Sequence, residues 1–206
     1  MGRDPTVLGV AGHNGWAVFV CVAARKGEPV VVDRRRVELI ESGLPNQPYE
    51  HETQGLGRVE AQALVNEVQE SALHCAEREL ARARAGCTGE LVAIALRDAL
   101  LPRLPASVAE AHASSHVMVR ADPMIYHEAL CTAAAALGIA VQTVARGKEM
   151  PLAAKAMGIT AEDLDGWLGA LRERLGAPWQ RDHRDATARA IVGLGKFGPQ
   201  PLAVHR

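Results

Sequence analysis

Aromatic residues are scarce in this sequence. Phenylalanine, tyrosine and tryptophan together make up 3% of the 206 residues, whereas hydrophobic residues make up 48%. That hydrophobic fraction is typical of a globular protein, and the chain is long enough to bury a sizeable core. Because large rings are few, the core must be built from alanine, valine and leucine, and we expect close contacts between helices.

An excess of charge of one sign is also absent. The 23 lysines and arginines are balanced by 24 aspartates and glutamates, which gives a formal net charge of −1. No overall field therefore draws the chain to nucleic acid or to an anionic membrane. A nucleic-acid partner would have to bind a local basic patch. The candidates are the consecutive Arg34, Arg35 and Arg36 and the run of Arg78, Arg82 and Arg84.

Long apolar runs and paired cysteines are missing as well. No stretch approaches the roughly 18 residues that a membrane-spanning helix requires, so we expect no membrane partner. The four cysteines, Cys21, Cys75, Cys87 and Cys131, form no C-x-x-C motif. Isolated cysteines of this kind are typical of buried thiols in a reducing compartment, and we expect a cytoplasmic protein.

The first forty residues contain three strand-like runs, at 7–11, 16–24 and 29–41. The connections between them are short and contain glycine. Connections that short join antiparallel neighbours, because a parallel return needs a crossover of a dozen or more residues. The sequence therefore predicts a three-stranded meander and not the strand-to-helix start of a dinucleotide-binding unit.

Helices and strands alternate in the middle of the chain. Apolar residues recur at helical spacing over 59–86, and short apolar runs at 90–96 and 139–145 indicate two further strands. Between these strands we expect a helix that begins with Asp122 as its N-cap and Pro123 at its first position.

The last third of the chain is predicted to be helical. Residues 151–176 form two helices around a turn, the second starting at Thr160 with Asp163 three residues later, and a final helix runs from about Arg181 to Leu194. The two-helix segment resembles a helix-turn-helix. Its second helix begins with acidic residues, which phosphates would repel, so packing on the domain or on a partner is the preferred interpretation.

This order of elements, together with three short motifs, resembles the ribonuclease H-like group and within it the RuvC-type resolvases. The motifs are Gly-Val-Ala at 9–11, Ala-Ile-Ala at 93–95 and Asp-x-x-Asp-Ala at 182–186. The resemblance implies one α/β domain over residues 1–206, with the segment at about 151–176 as a helical insertion. It also implies a mixed five-stranded sheet, three antiparallel strands followed by two more, with helices on both faces.

The resemblance further implies where catalytic acids would lie. The family holds two Mg²⁺ ions with carboxylates from the first strand, the fourth strand and the last helix, because such ions need several converging oxygens. Asp182 and Asp185 match the helix motif and are the candidate catalytic and metal-binding residues, but Ala11 and Ala95 stand at the strand positions. The preferred hypothesis is a binding or scaffolding module in a nucleic-acid-related process, with its two-metal site largely lost.

Other interpretations stay open. Asp182 and Asp185 either serve a divergent Mg²⁺-dependent nuclease or phosphoryl-transfer enzyme, or are only charges that favour the start of a helix. His13, Tyr49 and His51 are candidate binding residues, because they lie in the turn and in the loop that could flank a cleft, although the loop could equally cap the sheet edge. A protein-interaction domain or homodimer is the third alternative.

Overall fold

A computed structural model describes residues 4–197 of the chain. Its centre is one mixed sheet in the order β3-β2-β1-β4-β5. The strands are β1 (Pro5–Gly12), β2 (Trp16–Arg25), β3 (Glu28–Glu38), β4 (Glu90–Arg97) and β5 (Ala140–Val144). The first three strands pair antiparallel, whereas β4 runs parallel to β1 and β5 parallel to β4. The predicted meander and the two further strands are confirmed.

The turns of the meander depend on left-handed backbone at a few positions. Lys26 and Gly27 link β2 to β3 with φ of 52° and 84°, which is the backbone of a two-residue hairpin turn. The first turn includes Gly15 at φ 81° and closes with a hydrogen bond from the His13 N–H to the Trp16 carbonyl, 2.9 Å. These tight turns keep β1, β2 and β3 adjacent.

Helices cover both faces of the sheet. The helices α1 (Arg58–Gly86), α2 (Val108–His112) and α3 (Ser115–Ala136) pack on one face, and α4 (Glu149–Met157), α5 (Ala161–Leu175) and α6 (Arg181–Leu194) on the other. Along β1, Leu8 and Val10 face the α1 layer and Val7 and Ala11 face the α6 layer. No helix within residues 4–197 is long and apolar enough to cross a membrane.

Small residues let α6 approach the sheet closely. A Cβ atom added to Gly9 would overlap the carbonyl oxygen of Ala186, and one on Gly193 would lie 2.7 Å from a methyl group of Val7. Ala186 and Ala190 are fully buried in this layer. The expectation of close helix contacts is met here, and the approach positions α6 over the carboxyl end of β1.

The predicted start of α3 is wrong. The helix begins at Ser115 and contains Pro123 in its interior. Asp122 is fully buried and does not cap its own helix. Its carboxylate instead accepts hydrogen bonds from the N–H groups of Tyr49, 2.9 Å, and Glu50, 3.1 Å. An Asp-Pro pair is typical of a helix start, but here the aspartate fastens the preceding loop to the helix.

The two-helix segment α4–α5 packs on the domain. Leu164, Leu168 and Leu171 of α5 are buried in the same cluster as α6. The predicted cap of α5 is present, since the Thr160 hydroxyl accepts a hydrogen bond from the Asp163 N–H at 3.0 Å. The segment therefore contributes to the α6 layer of the core.

Candidate functional site

A cleft of about 310 Å³ opens at the carboxyl ends of β1 and β4. In open α/β sheets, ligands bind in the crevice outside the carboxyl ends of parallel strands. The first turns of α6 and the middle of α3 form its walls. Its ionisable side chains are those of His13, Arg97, Asp98, Tyr126, His127, Asp182, Asp185 and Arg189.

Alanines occupy the two strand positions at which the resemblance places acids. Ala11 lines the cleft and is 5% exposed, whereas Ala95 is completely buried. Both methyl groups face the α6 layer. Gly9 pairs with Ala95 in the parallel register. Neither position therefore contributes an oxygen to the cleft from its side chain.

Asp182 is held by the turn that follows β1. Its Oδ2 lies 3.1 Å from Nε2 of His13, and the two side chains are 28% and 40% exposed. The His13 ring stacks on Trp16, with centroids 3.9 Å apart and planes within 6°, and the Arg36 guanidinium lies 4.0 Å from the centre of the same indole. The structure thus brings the predicted residues His13, Asp182 and Arg36 together beside the cleft.

Asp185 lines the same cleft from the next turn of α6, as helical spacing predicts. Burial raises the pKa of its carboxyl, an effect that the nearby guanidinium groups of Arg189 and Arg181 oppose. Arg181 Nε lies 3.8 Å from Asp185 Oδ2. Asp185 is therefore surrounded by cations supplied by its own helix.

Arg189 forms a buried ion pair behind the cleft. Its Nη2 donates to Glu149 Oε1 at 2.8 Å and its Nη1 to the Val10 carbonyl at 2.7 Å, and both side chains are less than one-tenth exposed. Burial raises the pKa of Glu149, but the hydrogen bond and charge of Arg189 outweigh it and hold the pKa below its ordinary value. Within residues 4–197, Nε of Arg189 has no hydrogen-bond partner.

Arg97 supplies the remaining cation of the cleft. It ends β4, is partly buried, and its guanidinium makes no ion pair or hydrogen bond with the part of the chain that the structure describes. Burial lowers the pKa of Arg97, and the charges of Arg189 and Arg146 lower it further. The negative charges of Glu149 and Asp185 raise the pKa and oppose these effects only in part. Two arginines, Arg97 and Arg189, thus line the cleft with the charge of Arg146 nearby, and Glu149 pairs directly with Arg189.

The three consecutive arginines line a second cleft beside Asp182, but their side chains lie on two faces of the sheet. Arg34 and Arg36 pair with Val20 and Val18 of β2 and share their α6 face, whereas Arg35 lies on the α1 face. The Arg34 guanidinium donates to the carbonyls of Leu175, 2.7 Å, Gly176, 3.1 Å, and Pro178, 3.2 Å. Arg35 bonds Asp33 at 2.8 Å.

The loop before α1 does not supply the expected aromatic to the cleft. Residues Pro48–Glu52 form a π-helical turn, and Tyr49 within it is 0% exposed, with its hydroxyl 3.2 Å from Nε2 of Gln69. His112 Nε2 lies 2.9 Å from the Tyr49 carbonyl. His51 is exposed. Neither Tyr49 nor His51 lines the cleft, so the structure does not bring this loop to Asp182 and Asp185.

Sequence reasoning missed Arg97, Arg189 and Glu149. None of them belongs to a recognisable sequence motif. One weak signal was present: Arg97 directly follows the apolar run of β4, and Arg189 interrupts an alanine-rich helix. Across residues 4–197, no group of three or more histidine, cysteine, aspartate or glutamate side chains is arranged to hold a metal ion.

Comparison with known proteins identifies the fold. The sequence matches no protein-family model and no curated protein. The structure is similar to Thermus thermophilus RuvC in complex with a Holliday junction substrate, with a TM-score of 0.53, 12% identity, and coverage of 93% of this chain and 94% of that chain. A second Thermus thermophilus RuvC structure has a TM-score of 0.48 at 13% identity, covering 93% and 95%. The fold expected from the order of the elements is thereby confirmed, and the chain has the ribonuclease H-like fold in the form seen in RuvC.

Proposed function

We propose that this chain binds the phosphate backbone of a nucleic acid in the cleft between β1, β4 and α6, without cleaving it by two-metal chemistry. The observation that carries the proposal is the guanidinium of Arg97, which lines the cleft without an ion-pair partner in residues 4–197. The RuvC structure with the same fold was solved with a Holliday junction substrate, so a nucleic acid is the class of ligand to test first.

Charge crowding supports an anionic ligand. Partial burial of the charged Arg97 guanidinium is unfavourable, and the positive charges of Arg189 and Arg146 repel it. A bound phosphate would offset that repulsion. The planar fork of a guanidinium matches two phosphate oxygens, and such charge-assisted bonds are stronger than neutral ones. Because the net charge of the chain is −1, attraction would come from this local cluster and not from the protein as a whole.

The cleft does not fit a pair of magnesium ions. Two such ions need several carboxylate oxygens that converge from different elements. Ala11 and Ala95 offer none, and Asp182 and Asp185 lie on a single helix with His13 and Arg181 beside them. Asp98 also lines the cleft, but within residues 4–197 it does not join them in a group that could hold a metal ion. A guanidinium at the end of β4 would also repel a divalent cation.

Binding is tested with fluorescently labelled four-way junction, duplex and single-stranded DNA and with RNA of matched sequence. We expect at least one of them to bind with an affinity that falls steeply between about 50 and 200 mM salt. The variant Arg97→Gln should weaken binding about tenfold and reduce the slope of log affinity against log salt by about one.

Arg82→Gln is the matched control, because Arg82 belongs to the other predicted basic run, is an exposed arginine on α1 that pairs with Glu79, and does not line the cleft. Its affinity should equal that of the wild type. The proposal fails if none of the four probes binds at low salt, or if Arg97→Gln and Arg82→Gln behave alike. Binding that is insensitive to salt would point to apolar association and therefore to a protein partner or homodimer.

A divergent metal-dependent nuclease is the second candidate. The observation that favours it is that Asp182 and Asp185 line one cleft together with Asp98. Cleavage of the same probes is measured with Mg²⁺ and with Mn²⁺. Cleavage that disappears in both Asp182→Asn and Asp185→Asn would establish this function and overturn the non-catalytic one, whereas uncut substrate at protein excess would exclude it for these substrates.

A further inference from the structure

Two cysteines that are far apart in the sequence are in contact on the α1 side of the sheet. Cys21 lies in β2 and is 1% exposed, and Cys87 directly follows α1 and is partly buried. Their Sγ atoms are 3.2 Å apart. A disulfide bond has an S–S length of about 2.04 Å, so the two sulfur atoms must move about 1.2 Å closer to form one.

The surroundings hold this pair in place from both sides. Cys21 faces the α1 layer of the sheet, opposite Leu8 on β1. Cys87 is fixed by a hydrogen bond from its N–H to the Ala83 carbonyl, 3.0 Å, and the next residue, Thr88, accepts a bond from Arg25 at the end of β2, 2.8 Å. The end of α1 is therefore anchored to β2 beside the two sulfurs.

The charges around the pair distinguish the two thiols. A hydrogen bond with the Cys21 thiol lowers the pKa of Cys87, and the charge of Arg35 lowers it further. Burial and the charge of Asp33 raise the pKa but do not outweigh these effects. The same contact with Cys87, together with burial, raises the pKa of Cys21. Cys87, which is also the more exposed, is the thiol that reacts first, since the thiolate is the nucleophile.

We propose that Cys21 and Cys87 are an oxidative modification site that closes to an intramolecular disulfide when the protein meets a hydroperoxide. The Cys87 thiolate attacks the O–O bond, forms a sulfenic acid and releases the alcohol, or water from hydrogen peroxide. The Cys21 sulfur then attacks the Cys87 sulfur, and the S–O bond breaks with release of water. The two thiols lose two electrons and two protons in all, and the peroxide is reduced.

The other cysteines lack this arrangement. Cys75 lies 3.4 Å from Glu41 Oε1, and its Sγ contacts Arg78. Burial raises the pKa of Cys75 and of Cys131. Neither has another sulfur within hydrogen-bond distance in residues 4–197. The site is also independent of the cleft, because neither Cys21 nor Cys87 lines it.

The test treats reduced, desalted full-length protein with hydrogen peroxide, blocks remaining thiols with iodoacetamide and digests it with trypsin without reduction. Each of the four cysteines falls on its own tryptic peptide. We expect peptides 4–25 and 85–97 to be recovered as one disulfide-linked species that dithiothreitol separates. The oxidised protein should also melt roughly 5–15 °C higher, because the link closes a long loop of the unfolded chain.

Cys131→Ser is the matched control and should form the same link. Cys87→Ser and Cys21→Ala should each abolish it, and two variants are used because substitution at the buried Cys21 carries a risk to folding. Recovery of both peptides with alkylated cysteines would overturn the proposal. So would a Cys87 sulfinic acid without the cross-link, or a link that involves Cys75 or Cys131.

Discussion

Arg189 and Glu149 form a buried ion pair, 2.8 Å between Nη2 and Oε1, that ties α6 to the first turn of α4 beneath the cleft. Removing one partner leaves the other charged and buried, which costs about 3–5 kcal/mol. We expect Arg189→Met to lower the free energy of unfolding in urea by this amount. Arg181→Met should change it by less than about 0.5 kcal/mol, because Arg181 is 91% exposed.

The double variant Arg189→Met with Glu149→Leu separates the pair from general packing. It should be more stable than Arg189→Met alone, because no unpaired charge is then buried. An equal or lower stability of the double variant would show that the ion pair is not what holds α4 to α6.

Gly9 sets the distance between β1 and α6. Its missing side chain leaves room for the Ala186 carbonyl, and backbone cannot move aside as a flexible side chain can. We expect Gly9→Ala to cost about 3 kcal/mol or more in the free energy of unfolding, at the upper end of the range for overpacking. Gly12→Ala, three residues along, meets nothing within 4 Å and should cost less than about 1 kcal/mol. Similar losses in the two variants would contradict this packing.

Arg34 has a structural role that its neighbour Arg36 lacks. Its guanidinium satisfies the carbonyls at the end of α5, which would otherwise lose their hydrogen bonds. We expect Arg34→Gln to lower the free energy of unfolding by about 1–3 kcal/mol. Arg36→Gln should lower it by less than about 1 kcal/mol, because Arg36 is 58% exposed and its partner Glu38 is 60% exposed. Urea denaturation followed by circular dichroism measures the difference.

Asp122 should make stability depend on pH. Burial raises the pKa of its carboxyl to about 6, although the N–H groups of Tyr49 and Glu50 favour the charged form. The folded chain therefore holds this proton more tightly than the unfolded chain. The resulting stabilisation is complete below about pH 4 and is lost as the pH rises through about 6, a change of about 2–3 kcal/mol.

The variant Asp122→Asn cannot titrate at this position. We expect the difference in free energy of unfolding between wild type and Asp122→Asn to shrink by that amount from pH 4 to pH 7, because the other titrating groups are common to both proteins. Parallel pH curves for the two proteins would rule out a titration of Asp122 in this range.

Local patterns were sufficient for the order of the elements. Glycine-containing turns required antiparallel neighbours, and the change from period 2 to period 3.6 separated the strands from α1. The Asp122-Pro123 pair led to a wrong start for α3, because an Asp-Pro pair looks the same in sequence whether the aspartate caps its own helix or bonds a distant loop. The tertiary contact with Tyr49 and Glu50 decided between them.

The candidate site could be predicted only in part. Helical spacing placed Asp182 and Asp185 on one face, and the cleft contains both. The side on which Arg34 and Arg35 lie depends on the pairing of β2 with β3, and consecutive residues of a strand point to opposite faces. Tyr49 was expected near the cleft and is fully buried, because the Pro48–Glu52 turn packs against α3.

By itself, the sequence determined the order of strands and helices along the chain, the alanine-rich core and the absence of acids at positions 11 and 95, since each of these follows from residue type and short-range spacing. Only the tertiary structure placed Arg97 and Arg189 at one cleft, paired Arg189 with Glu149 and brought Cys21 to Cys87. These contacts join residues 40 or more positions apart. They depend on how closely α6 and α1 dock on the sheet, and no local pattern encodes that distance.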